Sequence, residues 1–165
     1  MTYYTYTQSP VGSLMLVGDG TVLNAIYWTV YKHTPAPGSD WQEDASKFKT
    51  ALKQLDEYFN GSRRTFDIPV FANGTPFQKR IWNELSRIKY GETCSYQQIA
   101  NAIGFPQAVR AVGAAIGRNP LSIVVPCHRV IASNGKLTGF AGGLESKHAL
   151  LELEGVLPKS QLALA

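Results

Sequence analysis

The spacing of apolar residues divides the chain into a β-rich first part and a mainly helical second part. Residues 2–7 alternate Tyr and Thr, two good strand formers. Residues 13–17 and 22–28 are further strand candidates. Ser9-Pro10-Val11-Gly12 and Gly18-Asp19-Gly20 supply the turns between them, giving an antiparallel meander. A loop rich in Pro, Gly and Ser covers residues 33–40. From about residue 43 to 59 the spacing predicts a helix. Phe48, Leu52, Leu55 and Phe59 form its apolar stripe, and Asn60-Gly61 stops it. Residues 66–71 read as one more strand, and Ala72-Asn73-Gly74 as a linker.

Beyond the linker the period changes to that of helices. Thr75 is a good N-cap with Pro76 in first position, and Phe77, Ile81, Leu85 and Ile88 share a face. Ser95 caps a second helix, residues 96–103, which Gly104 stops. Pro106 opens a third that runs to about Gly117. Two short helices joined by a Gly-containing turn match a helix-turn-helix, whose second helix would carry Arg110 among small residues. Plain helix packing also favours small residues, so the pattern alone leaves both readings open. Residues 121–125 suggest a buried strand ended by Pro126. Residues 130–132 suggest another, followed by a turn at Ser133-Asn134-Gly135-Lys136 and a loop at Phe140-Ala141-Gly142-Gly143. A last helix spans 147–154, with Leu150, Leu151 and Leu153 partly buried. The expected organisation is a supporting domain at 1–72, a second domain at 75–157 and a tail at 158–165.

With 44% apolar and 17% charged residues, the chain can form a real core. No apolar run approaches the roughly 18–20 residues of a membrane helix, and the first residues show no basic-then-apolar leader. A cytoplasmic protein without membrane attachment is expected. Charge is uneven. Residues 1–76 hold six Lys/Arg against seven Asp/Glu, and residues 77–165 hold ten against five. A polyanion would meet the second half, although a solvated basic face would look the same. The two cysteines, Cys94 and Cys127, make no disulfide framework, and the scattered His33, His128 and His148 make no zinc pattern.

Pro126-Cys127-His128-Arg129 sets an imidazole and a guanidinium beside a thiol, and a thiol becomes a nucleophile when its proton is removed. On a strand, neighbouring side chains point to opposite faces, so His128 needs a bend to reach the sulfur, and Pro126 can provide one. Glu154 on the last helix can orient the imidazole if the fold brings it near. The alternative is a buried structural cysteine. Cys94, with no adjacent histidine, is read as structural.

Asn119-Pro120 followed by Ile123-Val124-Val125-Pro126-Cys127-His128-Arg129-Val130-Ile131 resembles the signature of the O6-alkylguanine-DNA alkyltransferases. Thr75-Pro76-Phe77-Gln78-Lys79-Arg80-Ile81-Trp82, Tyr90-Gly91-Glu92-Thr93, Ser95-Tyr96-Gln97-Gln98-Ile99-Ala100, Arg110-Ala111-Val112-Gly113 and Gly142-Gly143-Leu144 with Lys147 resemble further segments of that family. The likeness is close over residues 75–156 and loose over 1–70. It implies an α+β fold: a small ribonuclease H-like sheet-and-helix domain, then a winged helix-turn-helix domain. It also implies irreversible, stoichiometric transfer of an alkyl group from guanine O6 to Cys127, with a single turnover per molecule. His128 would act as base through a water, Glu154 as its orienter, Asn119 as brace of the active-site turn, and Tyr96 as donor to the leaving guanine. Arg110 would fill the gap left by a flipped nucleotide, with Ser95, Ala111, Gly113 and Arg129 also at the DNA. Val130, Phe140, Ala141, Gly142 and Lys147 would form the substrate pocket.

The implied partner is double-stranded DNA carrying O6-alkylguanine, bound in the minor groove without sequence preference. A monomer is expected, with cooperative binding along DNA left open. Phe140 stands where many relatives have Tyr, and Ala141 where a Ser or Gly contacts O6. Some relatives carry zinc in the first domain; the cysteines for it are absent here, so no metal and no cofactor are expected. Three alternatives remain beside this reading: a lesion-binding relative that lacks catalysis, a helix-turn-helix regulator, and a Cys-His hydrolase. Cys127 itself argues against the first.

Overall fold

The structure, a computed structural model, describes residues 1–157. The chain falls into two compact units that divide between Asn73 and Gly74. The tail expected at 158–165 lies outside the described residues.

In the first unit, β1 (Tyr3–Ser9), β2 (Gly12–Gly18) and β3 (Leu23–Trp28) form the meander. β4 (Gln42–Glu43) adds in parallel at the far side of β1, giving the order β3-β2-β1-β4. β1 pairs with β2 from Tyr3 opposite Gly18 to Ser9 opposite Gly12, so Pro10-Val11 make a two-residue turn. β2 is one of the two inner strands and is buried on both faces from Leu14 to Gly18, in place of a simple alternation. Met15, Val17 and Ala25 pack on one face with Tyr4, Tyr27 and Trp41. A short 3-10 turn, Ala45–Phe48, leads into α1 (Lys49–Phe59).

Three expectations for this unit need correction. The helix begins at Lys49 and not near residue 43, because β4 and the 3-10 turn use the preceding residues. The tighter turn shifts the phase of the stripe, so Phe48, Ala51, Leu55 and Tyr58 are buried while Leu52 and Phe59 are half-buried. Residues 66–71 form no regular strand. Only a bridge between Leu23 and Val70 forms, flanked by Leu23 N–H donating to Pro69 O (2.9 Å) and Phe71 N–H donating to Leu23 O (3.0 Å). Pro69 has no N–H with which to extend a ladder.

In the second unit, α2 (Pro76–Leu85) starts in a full capping box. Thr75 accepts from the Gln78 N–H, and the Gln78 side chain accepts from the Thr75 N–H. Ser95 and Gln98 repeat the device on α3 (Tyr96–Ala102). Gly104 (φ +85°) then turns the chain toward α4 (Val109–Gly117), completing the helix-turn-helix. α4 starts at Val109; Pro106 and Gln107 remain in the turn. Trp82 Nε1 donates to Ala115 O (2.9 Å) and ties α2 to α4. A Cβ on Gly74 would stand 2.6 Å from the Trp82 ring, so only glycine lets the chain pass it. β5 (Cys94–Ser95) and β6 (Val130–Ile131) pair in parallel, and α5 (Leu144–Leu153) closes the unit, starting three residues earlier than expected.

Candidate active site

Residues 121–125 are buried except for half-buried Val124, but they fold as a tight turn. Val125 N–H donates to Leu121 O (2.8 Å), and Ile123 takes φ +76°, a left-handed conformation that opposes its branched side chain. Asn119 fastens this turn at both ends. Its Nδ2 donates to Val125 O (2.9 Å), and its Oδ1 accepts from the Leu121 N–H (3.0 Å). Asn119 therefore replaces the neighbouring strand that an extended segment would need.

The turn delivers the chain into a second 3-10 turn, Cys127–Arg129. Three residues per turn send the Cys127, His128 and Arg129 side chains in three directions, where a strand would oppose them. Cys127 lines a small pocket with Ile116, Gly117, Asn119, Ser122, Gly139, Phe140 and Ala141. Its volume of about 20 Å³ is room for one water and not for a purine base. Ile116 and Gly117 come from α4, so the second helix of the helix-turn-helix reaches the nucleophile directly.

Burial pushes the Cys127 thiol above its ordinary value, while hydrogen bonds from the Asn119 and Ser122 side chains and the charge of Lys147 pull it back. The thiol is therefore protonated near neutrality and needs a base. His128 is fully buried, and its Nε2 lies 2.7 Å from Glu154 Oε2. Its Nδ1 has no hydrogen-bond partner among the described residues. Burial is the main cause that holds His128 below its ordinary value. Glu154 acts in the opposite direction, and the charges of Arg129 and Lys147 reinforce the burial. The ring is thus a neutral imidazole, and a neutral ring that donates from Nε2 to a carboxylate keeps a lone pair on Nδ1.

Arg129 was expected at the DNA and is found elsewhere. It is 7% exposed; its Nε donates to Glu154 Oε1 (2.8 Å), its Nη2 to Glu154 Oε2 (3.0 Å) and its Nη1 to Ile88 O (2.7 Å). A guanidinium engaged on three sides in the interior has nothing left for a phosphate. Lys147, expected to line the pocket, is also internal. Its Nζ donates to Val130 O (2.6 Å) and Thr138 O (2.9 Å), and burial pushes it down to about 8. Val130 is wholly buried in β6 and, like Gly142, does not line the pocket, whereas Phe140 and Ala141 do. Ser122, Ile116, Gly117 and Gly139 line it without having been anticipated. Only the closeness of Ser122 to Cys127 in sequence hinted at any of them.

On the helix-turn-helix surface, Arg110 and Ala111 are exposed at the start of α4. Gly113 faces the Tyr96 ring, where an added Cβ would make ordinary contact at 3.8 Å. Tyr96 Oη accepts from Thr138 Oγ1 (3.2 Å) and donates weakly to Thr138 O (3.4 Å). Ser95 is half-buried and its hydroxyl is engaged in the helix cap. No group of metal-ligating side chains occurs among the described residues.

Fold and site together define a helix-turn-helix protein that keeps a buried cysteine under the second helix of that motif, with the next residue in sequence a histidine paired to a distant glutamate. Models of two domains of one family match nearly the whole chain: the ribonuclease-like domain of 6-O-methylguanine DNA methyltransferase over residues 2–72, and its DNA binding domain over 76–156. The chain belongs to that family. It is 47% identical over 153 residues to a methylated-DNA--protein-cysteine methyltransferase of Methanosarcina acetivorans, covering 93% of this chain and 98% of the relative. It is 47% identical over 154 residues to one of Mycobacterium tuberculosis, covering 93% of each. The crystal structure of Mycobacterium tuberculosis OGT in complex with DNA superposes with a TM-score of 0.89 at 44% identity, covering 99% of both chains.

Proposed function

We propose that the chain is a DNA repair protein that takes O6-alkylguanine out of duplex DNA and moves the alkyl group onto Cys127. The observation that carries this reading is the buried Cys127 turn with its His128–Glu154 pair, set against the end of α4. The Cys127 sulfur attacks the alkyl carbon, and the bond from that carbon to O6 breaks. The thiol proton passes through a water to His128 Nδ1, whose Nε2–H is fixed by Glu154. Guanine leaves with the electron pair and takes up a proton. In this reading Tyr96 exchanges its Thr138 partner for the leaving guanine and donates to it, which lowers the barrier where negative charge develops. A thioether has no easy return to the thiol, so each molecule reacts once.

A base within a duplex hides its O6, and extrusion costs a few kcal/mol. Arg110, planar, cationic and exposed on α4, suits the vacated stack, and the small residues around it allow close approach to the minor groove. The protein would bind without sequence preference, as a monomer, in the cytoplasm; among the described residues no helix is long and apolar enough to cross a membrane. Residues 1–72 act as support and 75–157 carry the chemistry.

Mass spectrometry after mixing with duplex DNA containing O6-methylguanine tests this. One methyl per molecule should appear, on the peptide containing Cys127. Cys127→Ala should bind the same DNA and gain none. Repeated turnover, or methyl on another residue, contradicts the proposal.

A further inference from the structure

Cys127 and His128 take their roles from the reaction, but the third side chain of their turn has none in it. Arg129 is nearly as buried as its neighbours, and burying a guanidinium is expensive unless it is fully engaged. It is engaged, and on the same carboxylate that holds the histidine. Glu154 receives Arg129 Nε on Oε1, and both Arg129 Nη2 and His128 Nε2 on Oε2. Two consecutive residues of one tight turn therefore clamp a single carboxylate 25 and 26 positions away. A third bond, from Nη1 to Ile88 O beyond α2, and the Tyr90 ring 5.8 Å from the guanidinium carbon fix Arg129 from a separate part of the unit.

We infer that Arg129 is a positioning residue of the relay: it keeps Glu154 a carboxylate and thereby keeps His128 in the Nε2–H form, with Nδ1 free to take the thiol proton. This rests on the alkyl-acceptor reading of Cys127. A guanidinium stays charged at any pH the fold survives, so the carboxylate beside it stays ionised although buried. His128 faces Glu154, its neighbour Arg129, Lys147 from α5 and, edge-on at 6.5 Å, the Phe140 ring. With Glu154 alone beside it, the imidazole would be drawn toward the imidazolium, which cannot accept a proton. The permanent charge of Arg129 opposes that. Burial, Arg129 and Lys147 act together against the pull of Glu154, and the outcome is a neutral base.

Arg129→Gln removes the charge and one of the two contacts to the carboxylate while keeping a polar side chain, and Arg129→Lys keeps the charge without the planar fork. Single-turnover transfer should fall at least about tenfold at pH 7 in Arg129→Gln, the scale seen when the hydrogen-bond partner that orients a metal-bound histidine is lost. The acid limb of the rate profile should move to higher pH, so the deficit should be larger at pH 6 than at pH 8.5. Arg129→Lys should return the limb toward its original position. A merely structural Arg129 predicts a deficit that follows the folded fraction and is the same at every pH, and that result overturns the inference. Nitrogen NMR of histidine-labelled protein without substitutions decides the matter even if Arg129→Gln does not fold. His128 should stay neutral and protonated on Nε2 from pH 6 to 9; an imidazolium or an Nδ1–H ring in that range refutes the role assigned to Arg129. The NMR readout needs no methyl on Cys127, so failure here is distinguishable from failure of the functional reading.

Discussion

Replacing Lys147 with Met removes a buried ammonium while keeping most of its stem. The structure gives Lys147 two carbonyl acceptors, Val130 O and Thr138 O, and places it 1% exposed. Burial pushes it from an ordinary 10.5 to about 8, with the Cys127 charge pulling upward as a lesser cause. At about 1.4 kcal/mol per pH unit, the gap corresponds to about 3 kcal/mol as an upper bound on the cost of holding the charge inside at neutral pH. Two hydrogen bonds from a charged donor, each worth roughly 1.5–3 kcal/mol, offset that cost. On these figures Lys147→Met loses about 3 kcal/mol or less at pH 7.

The pH dependence discriminates better. Between about 8 and 10.5 the unfolded chain still binds the lysine proton and the folded chain has lost it. Stability contributed by this group therefore rises with pH across that window, by at most about 1.4 kcal/mol per pH unit. Lys147→Met has no such rise. Raised groups such as Tyr27 and Cys94 titrate in both proteins and drop out of the difference. The thiol of Cys127, deprived of its cation, moves higher and widens the difference in the same sense. Urea unfolding of both proteins at intervals from pH 7 to 10.5 reads the effect. Curves that run parallel through the window refute the claim that Lys147 is held inside as a strained cation.

Asn119→Ala should cost about 2–3 kcal/mol, because two buried hydrogen bonds go and Val125 O and the Leu121 N–H are left unpaired; thermal unfolding at one pH measures it. Arg110→Ala should slow transfer from duplex DNA by tenfold or more, on the order of the few kcal/mol of base extrusion, yet leave reaction with free O6-alkylguanine nearly unchanged. Equal losses on both substrates would remove Arg110 from the extrusion step.

The Thr75 and Ser95 caps of α2 and α3 were legible because a cap and its partner lie three residues apart. Thr75 with Gln78 and Ser95 with Gln98 need nothing from the rest of the fold. The meander was legible for the same reason. Residues 66–71 and 121–125 were misread because both are apolar and β-branched, and composition does not say whether a ladder partner exists. Pro69 lacks a donor at the first, and an Asn119 side chain takes the partner's place at the second. The Cys127–His128 pair was visible, and Glu154 was named as its orienter. Arg129 went to the wrong surface because charge in a sequence suggests solvent or phosphate. Its burial depends on a carboxylate 25 residues later and on Ile88 O, and no local pattern records either.

The strain at Ile123 explains why Asn119, the turn and the relay belong together. A β-branched residue at φ +76° costs on the order of 1–3 kcal/mol, and Ile123 is almost wholly buried, so it cannot relax toward solvent. The two Asn119 bonds and the Val125-to-Leu121 bond contribute about 1 kcal/mol each, which is enough to hold the strained form. An extended 121–125 would relieve the strain, but it would carry Cys127 onto a strand, where Cys127 and His128 alternate faces. The nucleophile then loses either its pocket under α4 or its base. The strained turn thus allows adjacent residues of one chain to serve two sides of the site: Cys127 facing Ile116 and Gly117, and His128 with Arg129 facing Glu154.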